Sequence, residues 1–169
     1  PFIRVAGDMT IALNSGSVNT AAEIEFPKLQ EIGGTLTLES NSNANNIAFP
    51  SLKKILGSCS VTTTDLKNDI EFTNLESIGT DGADEQIKFE IEATNILCPK
   101  LKTINGKFDI ATSSFMFDME ADQVSYPNVE SISENLSITC PYSDFGSNGI
   151  LSIDFSGLKS VKGISTVSY

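Results

Sequence analysis

Asp118, Glu120 and Asp122 stand two positions apart in a row, so an extended strand would set their three carboxylates on one face. Paired carboxylates can protonate a glycosidic oxygen and activate a water, and their separation decides the outcome. Asp81, Asp84 and Glu85 form a second acidic group around Gly82. Such oxygens suit calcium, although the spacing is not that of an EF-hand loop. Cys59, Cys98 and Cys140 supply thiols, but three cysteines without metal spacing allow at most one disulfide and read as small buried apolar residues.

Composition closes most other routes. The chain has 169 residues with no His and no Trp. Without an imidazole, Ser-His-Asp and Cys-His nucleophiles are excluded. Zinc sites that use His are excluded with them, and three Cys cannot build a four-thiolate site. Eleven basic residues against 22 acidic give a net charge of -11, which opposes nucleic-acid binding because that needs a basic footprint. Carboxylate chemistry, calcium binding and surface recognition remain. Because the acids have no imidazole or aromatic platform beside them, the expectation is a non-enzyme with no catalytic residue, no metal and no cofactor.

The elements that must position these groups come from a repeat. Phe26-Pro27-Lys28-Leu29-Gln30-Glu31-Ile32-Gly33-Gly34-Thr35-Leu36-Thr37-Leu38 matches Phe49-Pro50-Ser51-Leu52-Lys53-Lys54-Ile55-Leu56-Gly57-Ser58-Cys59-Ser60-Val61 position by position. Further copies start at Phe72, Cys98, Tyr126 and Phe155, and half a copy, Val5 to Ile11, opens the chain. Successive copies begin 23, 23, 26, 28 and 29 residues apart, a period that suits one coil of a stacked solenoid. Ile outnumbers Leu, Phe reaches 10, and Ser, Thr and Asn are plentiful, a strand-and-turn composition. No apolar run approaches the roughly 20 residues of a membrane helix.

Within a copy, Leu-x-Leu after the Gly alternates apolar and polar, as a half-buried strand does. A second short alternation, such as Ile47-x-Phe49, precedes each Pro, which would stop that strand because it cannot donate to a ladder. Leu29, Ile32 and their counterparts point inward from a connecting arc of at most one 3₁₀ turn. The Gly permits a tight bend or positive φ. The predicted fold is all-β: one right-handed parallel β-solenoid over residues 1–169, with six or seven coils.

This pattern resembles the receptor L-domain family. It is similar also to the repeats of fungal cell-wall proteins of the Ecm/Sps type and of bacterial surface leucine-rich-repeat-like proteins. The resemblance spans residues 3 to 167. It implies a solenoid on a surface or secreted protein, several of whose relatives bind other proteins. The chain lacks the cysteine density of animal receptor members. It holds one glycosylation sequon of the kind abundant in the fungal ones, Asn135-Leu136-Ser137, in a predicted strand. A bacterial surface protein fits better. A start at Pro1 without Met fits a processed product or an excised piece of a longer surface protein.

The candidate ligand-binding residues follow from the alternation. Outward positions of the main strand should stack as Thr35 and Thr37, Ser58 and Ser60, Lys88 and Glu90, Lys107 and Asp109, with Asp8, Thr10, Asn135 and Ser137 flanking them. Two loops add Met116, in a stretch where Phe115, Phe117 and Met119 either face the core or form an apolar docking loop, and Tyr142 and Phe145. Three functions stay open. The first is adhesion or recognition of protein or glycan, extracellular and not membrane-spanning. The second is a carbohydrate-active enzyme using the acids. The third is a spacer. Solenoid ends need caps, and neither end reads as one, so end-to-end association is also expected as a possibility.

Overall fold

The computed structural model describes residues 3–13, 23–40, 46–63, 69–80, 88–92, 95–111, 123–139 and 152–168. Coil 1 contains β1 (Ile3–Val5) and β2 (Met9–Leu13). Coil 2 contains β3 (Glu23–Glu25), β4 (Leu29–Ile32) and β5 (Leu36–Ser40), and coil 3 contains β6 (Asn46–Ala48), β7 (Lys54–Ile55) and β8 (Cys59–Thr63). Coil 4 holds β9 (Asp69–Glu71), β10 (Ser77–Ile78) and β11 (Lys88–Glu92), and coil 5 holds β12 (Asn95–Leu97), β13 (Thr103–Ile104) and β14 (Lys107–Ala111). Coil 6 is β15 (Gln123–Ser125), β16 (Ser131–Ile132) and β17 (Leu136–Thr139), and coil 7 is β18 (Ser152–Asp154), β19 (Ser160–Val161) and β20 (Ser165–Ser168). Strands pair parallel with their counterparts on the next coil, except that β12 and β15 do not pair, so the chain is an all-β parallel solenoid.

Three faces result. One sheet runs β1-β4-β7-β10-β13-β16-β19, and a second runs β2-β5-β8-β11-β14-β17-β20. The third face pairs β3, β6, β9 and β12 in one sheet and β15 with β18 in another, so all three faces are continuous over four coils. The first of these sheets differs from the expected arc. Leu-x-x-Ile does not coil as a 3₁₀ turn; its final two residues extend and pair, as in Ser77 with Lys54 and Ile78 with Ile55. A two-residue strand leaves too few positions for the period of two to show in sequence.

Where a copy carries Pro, the strand ends before it as expected, and the Pro also shapes the turn that follows. The amide of Leu52 donates to the carbonyl of Phe49, and Leu75, Leu101, Val129 and Leu158 repeat this bond three residues back. The aromatic residue thus opens a β-turn, and Pro50, Pro99 and Pro127 hold its second position, where a fixed φ near -65° is ready-made. The third position ties coils together. Ser51 Oγ donates to the Pro27 carbonyl (2.6 Å), Asn74 Nδ2 to that of Pro50 (2.6 Å) and Asn128 Nδ2 to that of Pro99 (2.8 Å).

Between the sheets lie columns of like residues. Leu52, Leu75, Leu101 and Val129 form one, and Ile32, Ile55, Ile78, Ile104 and Ile132 another, all buried. Phe26, Phe49 and Phe72 stack face to face with centroids 5.0 and 5.1 Å apart. Cys98 takes the next aromatic place, and the third face is broken at the same point. Phe108, from the opposite sheet, fills the wider space and meets Tyr126 edge-on at 5.1 Å and Phe155 at 6.0 Å. The small Cys and the large Phe compensate in volume, as close packing requires.

Cys59 and Cys98 are buried and free, as small apolar residues would be. Burial pushes both thiols up, and the nearby Cys59 raises that of Cys98 further. The thiolate is the reactive species. Site-resolved alkylation at mildly alkaline pH should therefore leave Cys59 and Cys98 unmodified in the folded chain and label both in urea; labelling of either in the native state would contradict their burial.

One column on the first sheet is ionic. Gln30, Lys53, Glu76, Lys102, Glu130 and Lys159 stand one above the next, each amide donating to the carbonyl of the residue before it. From Lys53 onward the sign alternates at every coil. Lys159 Nζ sits 2.7 Å from Glu130 Oε2, and at the start of the adjoining column Arg4 Nε sits 2.9 Å from Glu31 Oε1. The hydrogen bond from Lys159, its charge and that of Lys102 hold the Glu130 carboxyl below its ordinary range. A lowered acid stabilises the fold at neutral pH, and that contribution is lost as pH falls through the lowered value. Glu76→Lys would put three cations in succession and should cost about 1 kcal/mol in low salt. Urea titrations of variant and wild type should converge as salt is added.

Candidate functional site

The second sheet carries the predicted outward residues, and its register decides whether they meet. Thr37 pairs with both Thr10 and Ser60. Ser60 pairs with Glu90, Glu90 with Asp109, Asp109 with Ser137, and Ser137 with Thr166. The inner partners alternate with these. Leu36, Leu38, Cys59, Val61, Phe108, Ile110, Leu136 and Ile138 are all buried, whereas Thr35, Thr37, Ser58, Ser60, Lys107 and Asp109 are half-exposed. Period-two alternation sends the two sets to opposite faces.

One position earlier runs a second column through Asp8, Thr35, Ser58, Lys88, Lys107, Asn135 and Ile164. Asp8 Oδ1 accepts the Thr35 amide at 2.7 Å, and Asn135 Oδ1 accepts the Ile164 amide at 2.9 Å. The side chain of the sequon asparagine is therefore already committed to the next coil. Lys88 pairs directly with Lys107.

A third column of paired positions, Ala12, Glu39, Thr62, Glu92, Ala111, Thr139 and Ser168, runs along the same sheet. The Leu-x-Leu motif does not announce it, because only the five-residue length of strands such as β5 and β8 adds the extra place. Ser168 Oγ lies 3.3 Å from Thr139 Oγ1 in this column. The face is a grid with rows about 4.8 Å apart and columns about 6.6 Å apart.

Its charges are ordered unlike those of the first sheet. In register, Lys88 is the partner of Lys107 and Glu90 the partner of Asp109 on adjacent strands. Like charges directly opposite in a sheet are destabilising. The same chain alternates sign through five coils on its neighbouring sheet, so this arrangement is not what stacking favours. Hydroxyls flank the charged block on both sides, with Thr35, Thr37, Ser58 and Ser60 toward coil 1 and Ser137, Thr139, Thr166 and Ser168 toward coil 7.

The other candidates are not joined to this face. Met116, Tyr142 and Phe145 lie outside the described residues. So do Asp81, Asp84 and Glu85, the acids Asp118, Glu120 and Asp122, and Phe115, Phe117 and Met119. Among the described residues, no group of three or more His, Cys, Asp or Glu could hold a metal ion, and no helix is long and apolar enough to cross a membrane. No family model, no curated protein and no solved structure matches this chain.

Proposed function

We propose that the chain is a non-enzymatic recognition module, working at the cell surface or in secreted form, whose second sheet binds protein or glycan. The single observation behind this reading is the block of like charges in register, Lys88 with Lys107 and Glu90 with Asp109, framed by hydroxyls. A sheet that served only as scaffold would gain by alternating sign, as the first sheet does. Local conflict with stability is the mark expected of a surface shaped by a partner. A partner that lays anionic groups on the lysine pair and donors on the carboxylate pair would remove both repulsions on binding. The receptor L-domain-like repeat supports the same reading at the level of the motif.

The double substitution Lys107→Glu with Asp109→Lys tests it. It would place opposite charges beside Lys88 and Glu90 without altering the core. Stability by urea denaturation should rise by about 0.2–1 kcal/mol for each pair converted. Hits from a glycan array and a surface-protein display screen against the wild-type chain should lose affinity at least about tenfold, roughly 1.4 kcal/mol. Undiminished binding by the more stable variant would sink the proposal.

A further inference from the structure

We infer that the first sheet is a second binding surface, separate from the face proposed above, which holds an extended polysaccharide of alternating acidic and neutral sugars. Charge on this molecule is segregated. Eight of its 11 basic residues lie in β1 or in the arcs 26–34, 49–57, 72–80, 98–106, 126–134 and 155–163, where only four of its 22 acids are found. The rest of the chain holds the other three basic residues and 18 acids. The strands of the third face carry no Lys or Arg. The first sheet and its flanking turns therefore form a basic ridge on an acidic protein. Sign alternation within the central column stabilises the stack, but it does not balance the face.

The ridge is open to a partner. Lys53, Lys54, Lys102 and Lys159 are all exposed. Among the described residues, only Arg4 and Lys159 form ion pairs, with Glu31 and Glu130. The Lys159 side chain is itself 72% exposed, and its ammonium keeps further donors beyond the one that Glu130 accepts. Beside the charged column, Ser77, Thr103, Ser131 and Ser160 pair in register, a row of hydroxyls through coils 4 to 7.

Spacing selects the occupant. Each amide in the column Lys53, Glu76, Lys102, Glu130, Lys159 donates to the carbonyl of the residue before it, so successive charges rise by one coil. That step is about 4.8 Å, close to the advance per sugar of an extended glycan. A chain with an acid on every second sugar sets carboxylates on Lys53, Lys102 and Lys159. Its neutral sugars then fall on Glu76 and Glu130, whose oxygens accept from sugar hydroxyls. A polymer charged at every unit, such as a nucleic acid or a polyuronate, presses anions on both glutamates. A neutral glycan offers the lysines no counter-charge. An extended acidic peptide advances about 6.8 Å per two residues and falls out of step with lysines about 9.6 Å apart.

Isothermal titration calorimetry with hyaluronan oligosaccharides, which alternate glucuronate and N-acetylglucosamine, tests this. The expected result is saturable binding that weakens as salt is added. Lys102→Gln should lower the affinity at least about tenfold, because a charged hydrogen-bond donor is lost. Glu76→Lys combined with Lys102→Glu keeps the net charge but breaks the alternation, and should also lose at least about tenfold. Both sites are exposed, so no core contact is lost, and circular dichroism melts check that the variants fold. Lys107→Glu with Asp109→Lys, on the second sheet, should bind the oligosaccharide as the wild type does, which separates this surface from the one proposed above. Absence of hyaluronan binding overturns the inference. So does equal binding by the charge-swapped variant, or polyglutamate or duplex DNA bound as tightly as hyaluronan, since each would show attraction without register.

Discussion

Phe49→Ala should destabilise the chain by about 3–5 kcal/mol, the largest loss expected of any single truncation here. Phe49 is fully buried and stacks on Phe26 below and Phe72 above, with interplanar angles of 8° and 10°. Removing its ring empties a slot that neither neighbour can enter, because each is held in its own coil by the turn that follows it. The amide of Phe49 donates to Glu71, and its carbonyl accepts from Leu52, so the backbone has no freedom to close the gap. In a solenoid, stability is approximately the sum of the repeat terms and nearest-neighbour interfaces. A cavity at coil 3 weakens two interfaces at once. Phe26→Ala should cost less, since Phe26 is half-buried and, among the described residues, stacks on the Phe49 ring alone. Urea denaturation of the two variants checks the order, and a Phe26 loss equal to that of Phe49 would contradict a coupling carried by the stack.

The same columns explain what could be read without coordinates. The motif repeats because each coil buries the same set of residues, so Leu52 and Leu75, or Ile55 and Ile78, had to align once the period was seen. Outward Thr37, Ser60 and Asp109 followed from alternation in the strand between buried Leu36, Cys59 and Phe108 and their partners two residues on. The illegible parts fall into two kinds. Ser77–Ile78 and its counterparts form a full sheet from strands of two residues, too short to display a period. The alternation of Lys53, Glu76, Lys102, Glu130 and Lys159 is visible only when the copies are read down a column, because along the chain each is an isolated charge. The like-signed block on the second sheet is of the same kind, since Lys88 and Lys107 are 19 residues apart and meet only through register.

Gly57→Ala should cost about 1–3 kcal/mol, by overpacking and not by lost conformational freedom. The sequence pattern allowed the Gly of each copy either a tight bend or positive φ, and the sole positive-φ glycine among the described residues is Gly79, at 78°. Gly57 is needed for approach. A Cβ there would lie 2.6 Å from the Gly34 carbonyl carbon, 2.7 Å from its oxygen and 2.8 Å from the Thr35 amide nitrogen. All three are backbone atoms, so no rotamer relieves the contact. The Gly57 amide donates to that same Gly34 oxygen at 3.0 Å, and parting the coils to admit a methyl would lengthen this bond and its neighbours in β5 and β8. Gly7 occupies the same column one coil before Gly34, and a Cβ there would meet nothing within 4 Å. Gly7→Ala should accordingly be neutral or stabilise by up to about 1 kcal/mol, through the unfolded chain. The requirement is local to each interface: coil 6 carries Glu134 in this column, and Gly163 donates to its carbonyl at 3.0 Å. Thermal or urea unfolding of the two alanine variants separates the explanations. If glycine were selected for the backbone angle alone, Gly7→Ala and Gly57→Ala would suffer alike; if for approach between coils, only Gly57→Ala loses stability.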